Sequence, residues 1–116
     1  MSETAFIGLG SNVGDRLAFL RAAVGAMAEV GRVEAVSRVY ETAPVGITDQ
    51  GAFYNAAARL ATDLPPAALL AALKAIEVRL GRRPGPRYGP REIDLDVLVM
   101  GARVEAGPPT LPHPEM

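Results

Sequence analysis

Two aspartates separated by one residue, Asp94 and Asp96, sit at the head of the apolar run Ile93–Met100 (IDLDVLVM). In a strand both carboxylates leave the same face, about 6.5–7 Å apart at the backbone. Ile93, Leu95, Val97 and Val99 then point to the core. Two acids side by side repel each other unless a cation lies between them. Carboxylate oxygens suit Mg²⁺ or Mn²⁺ better than zinc. A solvated acidic face on an amphipathic strand explains the same spacing.

Arginines precede the pair. Residues 78–91 contain Arg79, Arg82, Arg83, Arg87 and Arg91 and no acid, whereas the whole chain has net charge −1. Arg82–Pro90 (RRPGPRYGP) cannot be regular structure, with three prolines and two glycines in nine residues. A cationic loop beside carboxylates suits a polyphosphate bound with Mg²⁺, because arginine grips phosphate oxygens in bidentate fashion and stabilises charge in phosphoryl transfer. Ion pairing with surface acids accounts for Arg91 and Arg79, but not for the proline and glycine that present the others.

Phe53 and Asn55 share one face of a further strand candidate, Phe53–Thr62 (FYNAAARLAT). A strand asparagine among apolar residues needs both ends of its amide satisfied. It suits a flat heterocycle that offers a donor and an acceptor together, on which Phe53 stacks. On spacing alone, a core phenylalanine and an asparagine holding a neighbouring loop fit better. Glu77 lies at the edge of a helical apolar stripe, placed either to reach the site or to pair with an arginine of the following loop. His113, the single histidine, sits in Leu-Pro-His-Pro. Gly8, Gly10 and Gly14 do not have the G-x-G-x-x-G spacing of a dinucleotide site.

These residues need a scaffold. Thr4–Leu9 reads as a buried strand, Gly10–Gly14 as a turn in which Ser11 or Asn12 caps a helix, and Asp15–Val30 as that helix, ended by Gly31. Arg32–Glu41 has strand character with room for a bulge, and Thr42–Ala52 is a long loop. Pro65-Pro66 opens a second helix with Leu69, Leu73, Ile76 and Leu80 on its apolar stripe, and Gly81 ends it. After Met100, Gly101-Ala102 is expected to turn into a hairpin strand, Arg103–Glu105. The order β-α-β-β-α-β predicts an α+β sandwich of ferredoxin-like type, an antiparallel sheet with two helices on one face.

The chain has 116 residues, 49% hydrophobic and 22% charged, which fits one domain with one core. It has no cysteine, which excludes disulfides and thiolate chemistry. No apolar run approaches the ~20 residues of a bilayer span, and the acidic start Met1-Ser2-Glu3-Thr4 is unlike a signal peptide. Cytoplasm is the expected compartment, with no membrane partner. RNA-binding modules of the same element order need aromatic and basic residues on the sheet. Here that face carries Asp94 and Asp96, so no nucleic-acid partner is expected.

The motifs resemble the family of 6-hydroxymethyl-7,8-dihydropterin pyrophosphokinases, enzymes of folate biosynthesis. Ile7–Asp15 (IGLGSNVGD) looks like the family's Gly-Ser-Asn opening. Tyr40–Asn55 (YETAPVGITDQGAFYN) looks like its Thr-x-Pro-x-Gly…Gln…Asn stretch. Arg87–Leu98 (RYGPREIDLDVL) fits its Gly-Pro-Arg-x-x-Asp-x-Asp signature, and Leu111-Pro112-His113 its later Pro-His. The resemblance implies transfer of pyrophosphate from ATP to the hydroxymethyl group of the pterin, with release of AMP, by a monomer. It implies that Asp94 and Asp96 hold two Mg²⁺ ions bridging the ATP phosphates. Arg82 and Arg91 would neutralise phosphate charge, and Arg87 and Tyr88 would belong to a loop that closes over the site. Leu70, Glu77 and His113 would also lie on the ATP side. Thr42, Pro44, Val45, Phe53 and Asn55 would bind the pterin.

Tyr88 stands where the family usually has tryptophan, and the loop before Arg87 is about one residue short, which leaves Arg83 without an assigned role. Family members continue past the Pro-His motif into a tail that supplies another arginine and an aromatic of the pterin sandwich. Residues 1–116 are expected to form a single pyrophosphokinase domain without that tail. The rival reading is a non-catalytic nucleotide- or metabolite-binding domain of the same fold, which binds without turnover and is indifferent to Mg²⁺.

Overall fold

The computed structural model describes residues 2–44, 46, 50–83, 85 and 90–114. Seven elements follow one another: β1 (Glu3–Ser11), α1 (Arg16–Met27), β2 (Arg32–Val36), β3 (Tyr40–Thr42), β4 (Phe53–Thr62), α2 (Pro66–Arg79) and β5 (Asp94–Met100). The strands form one antiparallel sheet in the order β2-β4-β1-β5, with β3 also pairing β4. The expected α+β ferredoxin-like sandwich is therefore present.

Period-two patterning sorts the sheet into two faces. Ala5, Ile7 and Leu9 of β1, Ala58 and Leu60 of β4, and Leu95 and Val97 of β5 are buried. They pack with Leu20, Ala23 and Met27 of α1 and Leu69, Leu73 and Ile76 of α2 in a single core. Both helices thus cover one face, and the other face stays open for chemistry. No helix among the described residues is long and apolar enough to cross a membrane.

The helix ends explain how the site is fed. Asp15, not Ser11 or Asn12, caps α1, its Oδ1 accepting from the Ala18 N–H at 3.0 Å. That releases Asn12 for another task. α1 stops at Met27 rather than Val30, because residues 28–30 close tighter turns onto Gly25, Ala26 and Met27. Gly31 must then approach β4 so closely that a Cβ there would collide with the Ala61 carbonyl oxygen. α2 ends as expected at Gly81, whose φ of 106° suits glycine alone among ordinary residues. The Gly81 and Arg82 N–H groups donate to the Val78 and Glu77 carbonyls, a Schellman closure that folds Arg82 back over the helix end.

Three further expectations need correction. The strand expected over Arg32–Glu41 is split into β2 and β3. Ser37 enters the ladder between them: its N–H donates to the Ala57 carbonyl and its Oγ accepts from the Ala57 N–H. A register shift between Val33 and Ala35 supplies the anticipated bulge. Second, Val99 does not continue the core face. The β1–β5 register moves from Phe6↔Val99 to Ile7↔Val97, so Leu98 is an extra residue and Met100 is buried in place of Val99. Third, Arg103–Glu105 does not form a hairpin strand on β5. Arg103 closes a turn onto Met100 and binds Glu3 through Nε and Nη2, while Glu105 makes an isolated bridge with Leu111. Leu111, in the proline-rich stretch after Glu105, is a core residue at 2% exposure.

Candidate active site

The open face carries a cleft of about 410 Å³ whose lining includes Gly8, Gly10, Asn55, Arg91, Asp94 and Asp96. Its shape follows from register. Gly10 of β1 pairs with Asp94 of β5 on one side and with Asn55 of β4 on the other, and Asn55 pairs with Tyr40 of β3. One row across the sheet therefore reads Asp94, Gly10, Asn55, Tyr40. The next row reads Asp96, Gly8, Ala57. Adjacent strands lie ~4.8 Å apart, so the acidic pair and Asn55 face each other across about 10 Å of floor. Glycine leaves that floor bare. A Cβ on Gly10 would lie 3.2 Å from Asn55 Oδ1, and one on Gly8 3.2 Å from Leu98.

At one end of the cleft, charge is concentrated around Asp94 and Asp96. Arg82 Nη1 donates to Asp94 Oδ1 at 3.0 Å and to Glu77 Oε1 at 2.6 Å. Arg91 Nη1 approaches Asp94 Oδ2 at 4.0 Å. His113 Nε2 lies 3.8 Å from Asp96 Oδ1. The Leu98 bulge brings it there, because the Leu98 carbonyl accepts the His113 N–H at 2.8 Å. Lys74 Nζ stands 3.8 Å from Asp94 and 3.6 Å from Asp96. Beneath the pair, Glu77 is only 3% exposed and accepts from Lys74, Arg82 and the Leu95 N–H.

Burial, and then the charge of Asp94, push the Asp96 carboxyl above its ordinary value of 3.8, against the pull of Lys74 and His113. The folded chain therefore holds that proton to higher pH than the unfolded chain. The resulting stability is full below the ordinary aspartate value and is lost as pH rises through the raised one. At neutral pH Asp96 is a net cost to the metal-free fold. Asp96→Asn should raise the melting temperature measured in EDTA at neutral pH, and the gain should shrink as pH falls towards the ordinary aspartate range.

At the other end, Asn55 Nδ2 donates to Thr42 Oγ1 at 2.6 Å, and Thr42 pairs with Phe53 across β3 and β4. Asn12 joins the two ends. Its Nδ2 donates to Gln50 Oε1 and the Gly51 carbonyl, its Oδ1 accepts from the Arg91 N–H at 2.7 Å, and its own N–H donates to the Arg91 carbonyl. One side chain thus clamps the approach to β4 against the approach to β5. Arg16 supports it, donating to the Ala52 carbonyl and stacking 3.7 Å over the Tyr54 ring.

Residues 6–116 match the family model described as 7,8-dihydro-6-hydroxymethylpterin-pyrophosphokinase (HPPK). The chain belongs to the HPPK family. It is 49% identical over 113 residues to the mitochondrial folate synthesis bifunctional protein of Pisum sativum, covering 96% of this chain and 22% of that one. It is 43% identical over 119 residues to the 2-amino-4-hydroxy-6-hydroxymethyldihydropteridine pyrophosphokinase of Bacillus subtilis, covering 100% of this chain and 71% of the relative. The chain thus spans about a fifth of the bifunctional relative and most of the single-function one. A crystal structure of Plasmodium falciparum HPPK-DHPS with pterin and p-hydroxybenzoate aligns with a TM-score of 0.66 at 16% identity, over 87% of this chain and 29% of that one. That likeness concerns the fold.

Against this HPPK frame, Thr42, Phe53, Asn55, Arg91, Asp94, Asp96 and His113 all line this cleft. Arg82 reaches its edge through Asp94, while Glu77 lies beneath the floor, its carboxylate engaged by protein groups rather than turned to the cleft. Pro44 and Leu70 are half-buried and do not line the cleft. Val45, Arg87 and Tyr88 lie outside the described residues. Arg79, one of the five clustered arginines, forks onto Glu29 instead, with distances of 3.1 and 2.6 Å.

Sequence reasoning missed Lys74 and the task of Asn12. Each left a trace: Lys74 is the single lysine beside eleven arginines, and it precedes Glu77 by three residues, one helical turn. Two half-exposed carboxylates offer hard oxygen ligands of the kind Mg²⁺ takes and leave room for further oxygens, although no group of three or more His, Asp or Glu is gathered there among the described residues.

Proposed function

We propose that this chain transfers pyrophosphate from ATP to the hydroxymethyl group of 6-hydroxymethyl-7,8-dihydropterin, giving AMP and the pterin diphosphate in folate biosynthesis. It does so as a cytoplasmic monomer with two Mg²⁺ ions bound alongside ATP. The observation that carries this reading is the row Asp94–Gly10–Asn55. It sets a carboxylate pair and an amide on opposite sides of a bare floor wide enough for a flat bicyclic ring. Family membership and the relatives' names support it.

The substrate hydroxyl oxygen attacks the β-phosphorus of ATP in line. The bond from that phosphorus to the α–β bridging oxygen breaks, AMP leaves, and the hydroxyl proton passes to solvent. Asp94 and Asp96 would hold the metal, which when bound supplies charge neutralisation on the phosphates. Arg82 and Arg91 bring fixed positive charge to the same end, and His113 adds a polar group over Asp96. Asn55, held by Thr42, presents its amide to the pterin's hydrogen-bonding edge, with Phe53 as the ring's wall. The protein positions two substrates and screens charge, and it needs no strong general base.

Calorimetric titration with a non-hydrolysable ATP analogue tests the reading, in Mg²⁺ and in EDTA, followed by the pterin. Mg²⁺-dependent nucleotide binding that permits pterin binding is expected. Nucleotide binding indifferent to Mg²⁺, with no turnover of ATP and the pterin, would overturn it. Asn55→Ala should weaken pterin binding about tenfold or more while leaving ATP-analogue binding nearly intact, because only the pterin edge loses its amide partner. Equal losses for both ligands would assign Asn55 a structural task.

A further inference from the structure

We propose that Lys74 is a standing counter-ion of the Asp94–Asp96 pair: it keeps the carboxylates converged without metal and opposes uptake of a free divalent cation. Metal is then taken up together with the nucleotide and not ahead of it. The proposal rests on the pyrophosphokinase reading above and adds a positioning residue to it.

The geometry is specific. Two of the three ammonium N–H groups are used as anchors, donating to Glu77 Oε2 at 2.9 Å and to the Leu95 carbonyl at 2.8 Å. The charge is left 3.8 Å from Asp94 Oδ1 and 3.6 Å from Asp96 Oδ1, at ion-pair range but beyond a hydrogen bond. The anchors hold the ammonium firmly, and Lys74 meets the aspartates through charge alone, while Arg82 Nη1 makes the one close contact of the three cations, to Asp94 Oδ1 at 3.0 Å. The carboxylates can therefore turn to a metal while Lys74 stays on Glu77 and Leu95.

Residue choice points the same way. The chain uses arginine at eleven of its twelve Lys and Arg positions, and the exception is here. A compact ammonium sits among two carboxylates, a third carboxylate and a carbonyl, a setting that suits a point charge. Lys74 stands 3.8 and 3.6 Å from the two carboxylates, so a cation held by them would lie within about 6 Å of the ammonium, where a unit charge lowers the affinity of a divalent ion about tenfold even with water-like screening. ATP phosphates bring enough negative charge to outweigh that repulsion.

Mn²⁺ is the probe, with the unbound ion measured by electron paramagnetic resonance, without nucleotide and with ATP. Lys74→Gln should bind Mn²⁺ alone at least about tenfold more tightly than the parent chain. Lys74→Arg, which keeps the charge, should show no gain. Adding Asp94→Ala to Lys74→Gln should remove the gain. Unchanged or weaker Mn²⁺ binding by Lys74→Gln overturns the proposal. If Mn²⁺–ATP binding is still lost in Asp94→Ala, the pyrophosphokinase reading survives that failure. If Asp94→Ala also leaves Mn²⁺–ATP binding unchanged, both fall.

A measurement on the unaltered chain avoids any folding defect of the variants. Labelling with ε-¹³C lysine gives one side-chain resonance, since there is one lysine. That signal should shift when Mg²⁺ and ATP are added. A resonance that does not move overturns the proposal.

Discussion

Asp94→Ala and Asp96→Ala should each abolish metal-dependent ATP binding while the chain stays folded. Both side chains stand on the open face of β5, with exposures of 25% and 33%, and neither packs in the core. Their removal takes away the hard oxygen ligands around which the proposed site is organised. Even groups one step removed from a metal cost about 10–100-fold in affinity or activity when mutated, so loss of a direct ligand should exceed about a hundredfold. Calorimetry with the ATP analogue in Mg²⁺ reads the effect, and circular dichroism confirms the fold. Unchanged ATP affinity in both variants would show that the pair does not hold the metal. The two substitutions also differ in side effects. Asp94→Ala frees Arg82 from one of its two carboxylates, whereas Asp96→Ala leaves the Arg82–Glu77 contact intact.

Glu77→Ala should produce the largest loss of stability, about 3 kcal/mol. The carboxylate lies between α2 and β5 and meets Lys74, Arg82 and the buried Leu95 N–H at 2.9, 2.6 and 2.6 Å. Truncation leaves two cations without their shared anion and one buried donor without a partner. The value sits at the low end for a broken buried pair because Lys74 and Arg82 keep side-chain exposures of 40% and 25%. In a chain of this length that corresponds to a fall in melting temperature of roughly 10–20 °C. Glu77→Gln, which retains an acceptor for Leu95, should lose less. A melting temperature unchanged in Glu77→Ala would mean that Asp94, Asp96 and the Leu95 carbonyl suffice to carry Arg82 and Lys74. The site would be rearranged as well, since both cations would crowd onto the aspartates.

Much of this was written in local pattern. Apolar residues at helical spacing with Gly81 after them define α2 and its end. Alternation in Ile93–Val97 puts Asp94 and Asp96 on the face away from the core. The element order leads to the ferredoxin-like sandwich, and the ordered motifs lead to the family. These features survive because each depends on neighbours within one or two turns, where backbone geometry sets which side chains share a face.

What escaped has a common cause. Alternation alone sends Val99 to the core, but pairing with β1 inserts Leu98 as an extra residue and sends Met100 there instead. The same bulge carbonyl receives His113, so the placement of a loop histidine depends on a strand irregularity. Asn12 has the residue type of a helix cap, yet Asp15 takes that task and Asn12 clamps Gln50, Gly51 and Arg91, the last 79 positions away. Lys74 is one residue on a polar helix flank until β5 lies beside it.

By itself, then, the sequence determined residue chemistry, the face of the regular stretches of strand and helix, and the order of the main elements, because these follow from periodicity along one segment. Tertiary structure alone decided which rows line up across strands: Asp94 with Gly10 and Asn55, and Asp96 with Gly8. Interstrand register is chosen by how the whole buried face packs against both helices, and a shift of one residue would turn every side chain of a strand to the opposite side.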